Sequence, residues 1–443
     1  MTHFPSFRKI LFFILFVLFI VPYSINIGGQ GVSANYLFAL FPLLLLIYKG
    51  EFNWPKGRIV VFMIIFVCIY VASLLYQFEN NENIIRQLAS FILFMTLFAF
   101  LFVKIDLDMI YAFKGAVVFY SAYSSLTILY LFFDLGGNEL GSYAKGLVGS
   151  QRIGFVYILA LWMMVFYRVN TPLLIILKHS IIVIIIAGLL LTFSRTSIAA
   201  LFFSTAVYFS LITIKFIKKE VSFYSFVHKI FLSIVYIIGL SILAKTILPV
   251  TINAYEKTIY SYITSSVKEI KDNKEMADYI DPYKDIEQAV INKDIEQAVI
   301  NKDDSENLVI YDMKNKNTSV GYRYYMSKIV LDYAINNPFT GSGYIGVWSL
   351  FENREGSTHS QYLDVLFRVG FLGFFVYMFI LFKILGFLYK QDTGVLIGFA
   401  GILIYGLFHE TFKLSQGAFI LTFLLAMYEQ RNYLFKKDKG QDT

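Results

Sequence analysis

Charged residues and cysteine are scarce in this sequence. Only 16% of its 443 residues are Asp, Glu, Lys or Arg, whereas about a quarter is usual in soluble proteins. The one cysteine, Cys68, lies in an apolar run, which excludes a disulfide framework and a cysteine-based metal site. Metal-ligand spacings, a glycine-rich nucleotide loop, a nucleophile elbow and nucleic-acid modules are also missing. We therefore expect no metal, cofactor or nucleic-acid partner, and we expect any donor substrate to be activated beforehand and supplied from the lipid phase.

Apolar residues are abundant instead. They make up 57% of the chain, and aromatic residues make up 18%. A run of roughly 17 to 25 mainly apolar residues is long enough to cross a bilayer as a helix. The composition and these runs predict an all-α polytopic integral membrane protein with about 12 transmembrane helices. Their predicted limits are 10–25, 33–48, 59–76, 87–103, 110–134, 153–167, 177–193, 198–214, 229–244, 370–388, 394–408 and 417–430.

The basic residues of the short connections predict the orientation of these helices. They fall on alternate connections, all on the side of the N-terminus, and basic connections tend to stay in the cytoplasm. Both termini are therefore expected to be cytoplasmic. The extracytoplasmic side then receives residues 28–33, 77–86, 135–152, 194–197, about 245–369 and 409–416.

One of these extracytoplasmic segments is long. The prediction divides the chain into N-terminal transmembrane helices at 1–244, a large loop at 245–369, and C-terminal helices with a cytoplasmic tail at 370–443. The loop holds 18 of the 31 acidic residues of the chain, so it differs in charge from the basic remainder. We expect a mostly helical periplasmic loop that is too short for an elaborate core of its own.

Arginine is distributed against the orientation rule. Six of the ten arginines lie on the extracytoplasmic side, and most of these six adjoin the end of a predicted span. Because a guanidinium is always charged and can grip a phosphate with two parallel hydrogen bonds, such a set suits a lipid-linked phosphate or diphosphate. The six are Arg86, Arg152, Arg195, Arg323, Arg354 and Arg368.

A structural alternative is open for each of these arginines, namely pairing with a nearby acid or contact with lipid headgroups. It is strongest for Arg354, which lies between two glutamates, and Arg86 follows Glu82 by one helical turn. It is weakest for Arg195, since the four-residue turn that holds it has no acid nearby and hydrocarbon would exclude an unpaired guanidinium. Arg323 is also favoured for function, because Tyr322, Tyr324, Tyr325 and Met326 surround it in the sequence.

His359 is the candidate for proton transfer. It is the one histidine in the long loop, and it lies about ten residues before a predicted span, so its ring is expected near the membrane surface. A neutral imidazole can take a proton from a hydroxyl nucleophile. A solvated or structural histidine is the alternative. His409, beside Glu410, is a weaker candidate, and the turn at 336–344 offers Gly341 and Gly343 for close backbone approach to an anion.

Together, these segments resemble the bacterial O-antigen polymerase and O-antigen ligase superfamily. The resemblance is carried by LLLTFSRTSIAAL at 189–201, a long outer loop with Arg323, NPFTGSGY at 337–344, and STHSQYLDVLFRVGFLG at 357–373. It covers nearly the whole chain in topology but only about 65 residues in motifs. The histidine motif reads His359-Ser360-Gln361-Tyr362, where many members have asparagine after the histidine.

The resemblance implies a bacterial inner-membrane glycosyltransferase that acts on its outer face. Its substrate would be an oligosaccharide on undecaprenyl diphosphate or a similar polyprenyl carrier, with membrane lipid around it and with a flippase and a chain-length regulator as partners. Arg195, Arg323 and His359 would be catalytic, and aromatic side chains would stack on sugar rings. The expected diphosphate-binding residues are Arg195, Arg323, Arg86, Arg152 and Arg368, and the expected glycan-binding residues are Tyr322, Tyr324, Tyr344 and Tyr362.

Four functions compete on this sequence. A polymerase would move the growing glycan onto the next lipid-linked repeat unit of an O-antigen, capsule or exopolysaccharide, and it is favoured. A ligase would move the glycan onto lipid A-core or protein. A flippase should place charges inside its spans to line a passage, whereas the charges here gather at the outer edge and in the loop. A sensor or scaffold would tolerate loss of the outer arginines.

Overall fold

The computed structural model describes a helical protein with one small hairpin. Its described residues are 7–21, 24–27, 30–33, 99–134, 153–192, 194–220, 222–227, 231, 319–342, 346–347 and 358–434. Among them the helices are α1 (Phe7–Ile20), α2 (Leu107–Asp134), α3 (Gly154–Phe166), α4 (Pro172–Leu191), α5 (Arg195–Ile217), α6 (Ser319–Asn336), α7 (Gln361–Gln391), α8 (Thr393–Tyr405), α9 (Ser415–Glu429) and α10 (Arg431–Leu434). Short 3₁₀ turns cover Ala99–Leu101 and Thr411–Lys413.

The helices agree with most of the predicted spans that fall on described residues. Three are long and apolar enough to cross a membrane, namely α4, the Thr196–Ile217 part of α5, and α7, while three apolar helices are shorter, Gly154–Phe166, Thr393–Tyr405 and Gln416–Glu429. The predicted count of about twelve is not established by these helices. The spans predicted at 33–48, 59–76 and 229–244, and most of that at 87–103, lie outside the described residues.

A short hairpin follows the first helix and corrects the prediction there. The span predicted at 10–25 ends as α1 at Ile20, and β1 (Ser24–Ile27) pairs antiparallel with β2 (Gln30–Ser33). The strands pair Ile25 with Val32 around the sequence Gly28-Gly29. Two glycines between such strands favour a tight hairpin turn. A strand pair therefore stands where the end of a span and an extracytoplasmic segment were predicted.

Aromatic side chains fill the core between α1, α2 and α9. The Phe19 and Phe419 rings stack with centroids 4.9 Å apart, and the Phe113 and Phe423 rings stack at 4.5 Å. Phe16 is fully buried between them, with its centroid 5.4 Å from that of Phe419. Stacked and edge-on rings add to the free energy of apolar burial by about 0.5–1.5 kcal/mol per pair. This core holds the first helix against the last long one.

Buried hydroxyl groups join the central helices. The Trp162 indole N–H donates to the Ser204 hydroxyl across α3 and α5 at 2.9 Å, and the Ser124 hydroxyl hydrogen-bonds with the Tyr157 hydroxyl across α2 and α3. In hydrocarbon, helices associate through such hydrogen bonds and close packing, because the hydrophobic effect does not drive association where the surrounding medium is itself apolar. Large apolar side chains face outward on α4, as Leu173 and Ile176 do.

Three ion pairs lie at one end of the bundle. Arg8 of α1 pairs with Asp106, Lys9 pairs with Asp108 at 3.1 Å, and Lys114 pairs with Asp392 in the turn between α7 and α8. At this end α1 and α2 begin, α7 ends and α8 begins. We call the opposite end, where α5, α7 and α9 begin and α8 ends, the site end. The described connections therefore divide between these two ends of the bundle.

Helix α7 is broken at Gly370. This residue has φ +64° and ψ −171°, while the residues on both sides are helical. The turn after α6 packs into the break, where the Phe371 N–H donates to the Pro338 carbonyl oxygen at 2.8 Å and the Ser342 N–H donates to the Phe367 carbonyl oxygen at 2.8 Å. The break therefore divides α7 into a short first part, which packs on α6, and a long apolar second part.

Replacing Gly370 with alanine is expected to destabilise the protein. The added Cβ would lie 2.6 Å from the Pro338 carbonyl oxygen and 2.9 Å from the Gly341 nitrogen, in a backbone conformation that side chains disfavour. Strain and overcrowding of this kind cost about 2–4 kcal/mol together. Thermal unfolding in detergent should therefore show a lower midpoint. Gly386→Ala is the matched control in the same helix, because nothing lies within 4 Å of its added Cβ; equal midpoints for the two variants would contradict the packing of the break.

Candidate functional site

The turn Thr358-His359-Ser360 presents the predicted catalytic histidine. His359 has φ +49°, a left-handed conformation that is uncommon outside glycine. Its neighbours Thr358 and Ser360 are buried, while His359 itself is half-buried. A strained residue between two buried neighbours persists only because the surrounding contacts hold it there, and such strain clusters at functional sites.

The contacts that hold this turn come from the connection between α8 and α9. Glu410 Oε1 accepts from the Thr358 N–H at 3.2 Å and lies 3.1 Å from the Thr358 hydroxyl. On the other flank, the Gln361 N–H donates to the Gly406 carbonyl oxygen at 2.7 Å, and Gln361 Oε1 accepts from the Phe412 N–H at 2.8 Å. Both flanks of His359 are thus fixed to residues 406–412.

Arg195 is the first residue of α5, at the site end. The residue before it, Ser194, caps the helix through its hydroxyl, which accepts from the Ser197 N–H at 3.3 Å. Ser194, Thr196 and Ser197 are buried, so the backbone at Arg195 is fixed on both sides. A helix that begins here leaves its first backbone N–H groups directed out of the helix end, which favours an anion.

Tyr405 connects the start of α5 to the turn with His359. This buried side chain lies beside Ser194 and Ser197. A Cβ added to Gly154, at the start of α3, would lie 3.3 Å from the Cε2 atom of the Tyr405 ring. On its other side the Tyr405 ring stacks on the His409 ring, with centroids 5.0 Å apart. Because Glu410 follows His409 directly and binds Thr358, a continuous path of contacts joins the backbone of Arg195 to that of His359.

Helix α6 carries Arg323 and packs against the first part of α7. Met326, one helical turn after Arg323, is fully buried in a second, smaller core with Val330 and Phe367. The Tyr333 ring lies on the Phe367 ring at a centroid distance of 4.8 Å. This core therefore anchors the part of the predicted loop that holds Arg323. The backbones of Tyr322 and Tyr324 lie in the same first half of α6.

Two predicted binding residues in α7 are engaged within the fold. Arg368 Nε donates to Asp364 Oδ2 at 2.7 Å, one helical turn away, and both side chains are largely buried. The Tyr362 hydroxyl donates to the Leu403 carbonyl oxygen in α8 at 2.7 Å. Arg368 thus has the acid partner that the structural alternative requires, and the glycan-binding role predicted for Tyr362 would have to use its ring face.

The first part of α7 folds toward the second part. The buried Tyr377 hydroxyl interacts electrostatically with Tyr362 and Asp364. In a straight helix, residues 13 to 15 positions apart would be separated by about 20 Å. The break at Gly370 therefore bends the chain, so that Tyr362 and Asp364 lie nearer to Tyr377 than they would in a straight helix.

The structure brings together some of the predicted site residues. The residues beside Arg195 contact Tyr405, the residues beside His359 contact Gly406, Glu410 and Phe412, and His409 stacks on Tyr405 between the two groups. Arg86, Arg152, Arg354 and Tyr344 lie outside the described residues. Within the described part of the chain, no group of three or more His, Cys, Asp or Glu side chains is placed to hold a metal ion.

The sequence did not single out Glu410, Thr358 or Tyr405. Glu410 binds Thr358 across 52 positions of the chain. Contacts across such a distance leave no periodic pattern in the sequence. The available signal was the polar group His409-Glu410-Thr411 between two apolar runs, which indicated a connection on the outer side and made His409 a weaker candidate for proton transfer.

A comparison with protein families extends this picture. Residues 180–378 match a family described as O-antigen ligase. The match begins within α4 and ends within α7, so it includes Arg195, Arg323, His359 and Arg368 and leaves out the connection with Glu410. A search of curated proteins gave no match.

Proposed function

We propose that this chain, whose residues 180–378 match the O-antigen ligase family, transfers a glycan from a polyprenyl diphosphate to an acceptor hydroxyl. The observation that supports this most directly is the shared anchor at residues 406–412. Tyr405, which lies beside the start of α5, stacks on His409 of this anchor, so the start of α5, with Arg195, and the turn with His359 lie at one end of an apolar helical bundle. This reaction needs a group that binds the departing diphosphate and a group that accepts the proton of the acceptor hydroxyl.

The proposed reaction assigns each residue one task. The acceptor hydroxyl oxygen attacks the anomeric carbon of the donor sugar, and the bond from that carbon to the diphosphate oxygen breaks. His359 takes the proton of the hydroxyl. Negative charge grows on the departing diphosphate, and Arg195 and Arg323 stabilise it more in the transition state than in the bound substrate. Arg86, Arg152 and Arg368 are further proposed contacts for the diphosphate, and Tyr322, Tyr324, Tyr344 and Tyr362 for the glycan.

The acceptor distinguishes two versions of this function. We favour a polymerase, in which the acceptor is the next lipid-linked repeat unit and the product is O-antigen, capsule or exopolysaccharide. The ligase version, with lipid A-core or protein as acceptor, is supported by the description of the matched family. In both versions the protein lies in the bacterial inner membrane, both termini are cytoplasmic, and the site faces outward, where a flippase delivers the donor and a chain-length regulator acts on the product.

Purified protein tests both versions directly. Incubation with a defined polyprenyl-diphosphate-linked repeat unit alone should yield lipid-linked chains longer than one unit if the protein is a polymerase. A ligase should give product only after lipid A-core or protein acceptor is added. In cells that lack the gene, a polymerase loss should leave single units on the final acceptor, and a ligase loss should leave long glycan on the carrier. Repeat units held on the cytosolic face would instead indicate a flippase and contradict the proposal.

A further inference from the structure

We propose that Glu410 is a positioning residue that fixes His359 for proton transfer, an inference that rests on the proposed function. Glu410 lies in the connection between α8 and α9, outside the residues that match the family. Its carboxylate does not need to touch substrate for this role. It acts through Thr358, the residue directly before His359.

The hydrogen bonds of Thr358 give the first step of the argument. Glu410 Oε1 accepts from the Thr358 N–H at 3.2 Å, so it satisfies a backbone donor that is buried. The Thr358 hydroxyl lies 3.1 Å from the same carboxylate oxygen and 2.8 Å from the Ser360 carbonyl oxygen. It also accepts from the Ser360 N–H at 3.3 Å. One carboxylate oxygen and one hydroxyl therefore span the whole turn, from the residue before His359 to the residue after it.

The conformation of His359 gives the second step. Its φ of +49° is disfavoured for a residue with a Cβ, at a cost of about 1–3 kcal/mol. The bonds on the Gln361 side fix only one flank of the turn. Without Glu410, the Thr358 flank would lose its partner from another helix connection, and His359 could relax to an unstrained conformation. The imidazole would then leave the place it occupies relative to the start of α5.

The charge of Glu410 is not required for this role, but its acceptor oxygen is. A glutamine has nearly the same shape and keeps a carbonyl oxygen that can accept both bonds from Thr358. An alanine leaves the buried Thr358 N–H unpaired. The two substitutions therefore separate positioning by hydrogen bonds from any effect of the negative charge on the imidazole.

Steady-state kinetics of the purified full-length protein with a lipid-linked repeat unit test the proposal. Glu410→Ala should lower kcat by about 10- to 100-fold with little change in KM for the lipid donor, because a displacement of about 1 Å at a reacting group costs this much. Glu410→Gln should retain kcat within about threefold and keep the pH profile of the wild-type protein. Glu429→Gln is the matched control, since Glu429 is a glutamate at the far end of α9. Equal losses in Glu410→Gln and Glu410→Ala, or an unchanged kcat in Glu410→Ala, would overturn the proposal.

A second measurement does not depend on turnover. Diethyl pyrocarbonate modifies accessible imidazoles, and mass spectrometry of the peptide that contains His359 reports the rate at this residue. Glu410→Ala should raise this rate, whereas Glu410→Gln and Glu429→Gln should leave it unchanged; an unchanged rate in Glu410→Ala would overturn the proposal even if that variant is inactive. His359→Ala separates the two levels of the argument. Full activity in His359→Ala would refute the proposed proton transfer itself, while an inactive His359→Ala beside a fully active Glu410→Ala would refute only the positioning role.

Discussion

Replacing Arg195 with alanine is expected to abolish long glycan in cells while the amount of protein in the membrane stays unchanged. Arg195 begins α5 behind a hydroxyl cap, and the residues that fix this helix start are Ser194, Thr196 and Ser197, none of which the substitution alters. Loss of one preorganised group that stabilises a developing negative charge costs about 10²–10³-fold in rate. Gel analysis of the glycan and immunoblotting of the membrane fraction measure the two quantities.

Lysine and a distant arginine supply the controls for this prediction. Arg195→Lys keeps the positive charge but loses the planar fork that binds two phosphate oxygens, so an intermediate loss of rate is expected. Arg168→Ala removes an arginine from the connection between α3 and α4, away from the site end, and should leave the glycan unchanged. Wild-type chain lengths in Arg195→Ala would refute the assignment.

The orientation of the site end can be tested on the same residue. The chain has one cysteine, so Cys68→Ser gives a background in which a cysteine at position 195 or 359 is the only thiol. A membrane-impermeant maleimide added to intact spheroplasts should label both positions. Labelling only after the membrane is opened would mean that Arg195 and His359 face the cytosol. This result would contradict the proposal, which has the donor bound at the outer face of the membrane.

The apolar segments of the fold were largely predictable from the sequence. The spans predicted at 370–388, 394–408 and 417–430 correspond to the second part of α7, to α8 and to α9. Their ends are marked by local signals, such as Asp392, whose side chain accepts from the Val395 N–H at 3.0 Å and caps α8. A helix boundary depends on a few neighbouring residues, and these are adjacent in the sequence.

The break at Gly370 was predictable only as a boundary. The sequence placed the end of the loop at 369 because apolar residues follow it, and the structure has its break at the next residue. The chain is helical on both sides of the break. This arrangement depends on the close approach of Gly341 and Gly370, which are 29 positions apart. Apolar periodicity does not report such a contact.

The residues of the candidate site were partly predictable, but their arrangement was not. Arg195 and His359 stood out because charged residues beside apolar runs require a reason. Nothing in the sequence indicates that Tyr405 and Glu410 connect the two segments, because these contacts form between helices that are distant in the chain. The family match covers both segments, at residues 180–378, but gives no geometry for them.

Replacing His359 with alanine is expected to abolish glycan transfer for a reason that differs from the case of Arg195. The loss of a general base costs about 10²–10⁴-fold in rate. Substrate binding should be nearly unaffected, because the arginines that are proposed to hold the diphosphate remain. In the purified protein, kcat should therefore fall with little change in KM for the lipid donor, whereas Arg195→Ala should affect donor binding as well.

The backbone of His359 allows this chemical role to be separated from a structural one. Glycine adopts φ near +49° without strain. The free energy of unfolding of His359→Gly should therefore equal that of the wild-type protein or exceed it by about 1 kcal/mol, because strain is relieved. It should nevertheless be as inactive as His359→Ala. His359→Asn also tolerates this conformation and keeps a polar side chain, but its amide is no base, so it too should be inactive. Activity in His359→Gly or His359→Asn would mean that position 359 serves the shape of the turn and that another group takes the proton.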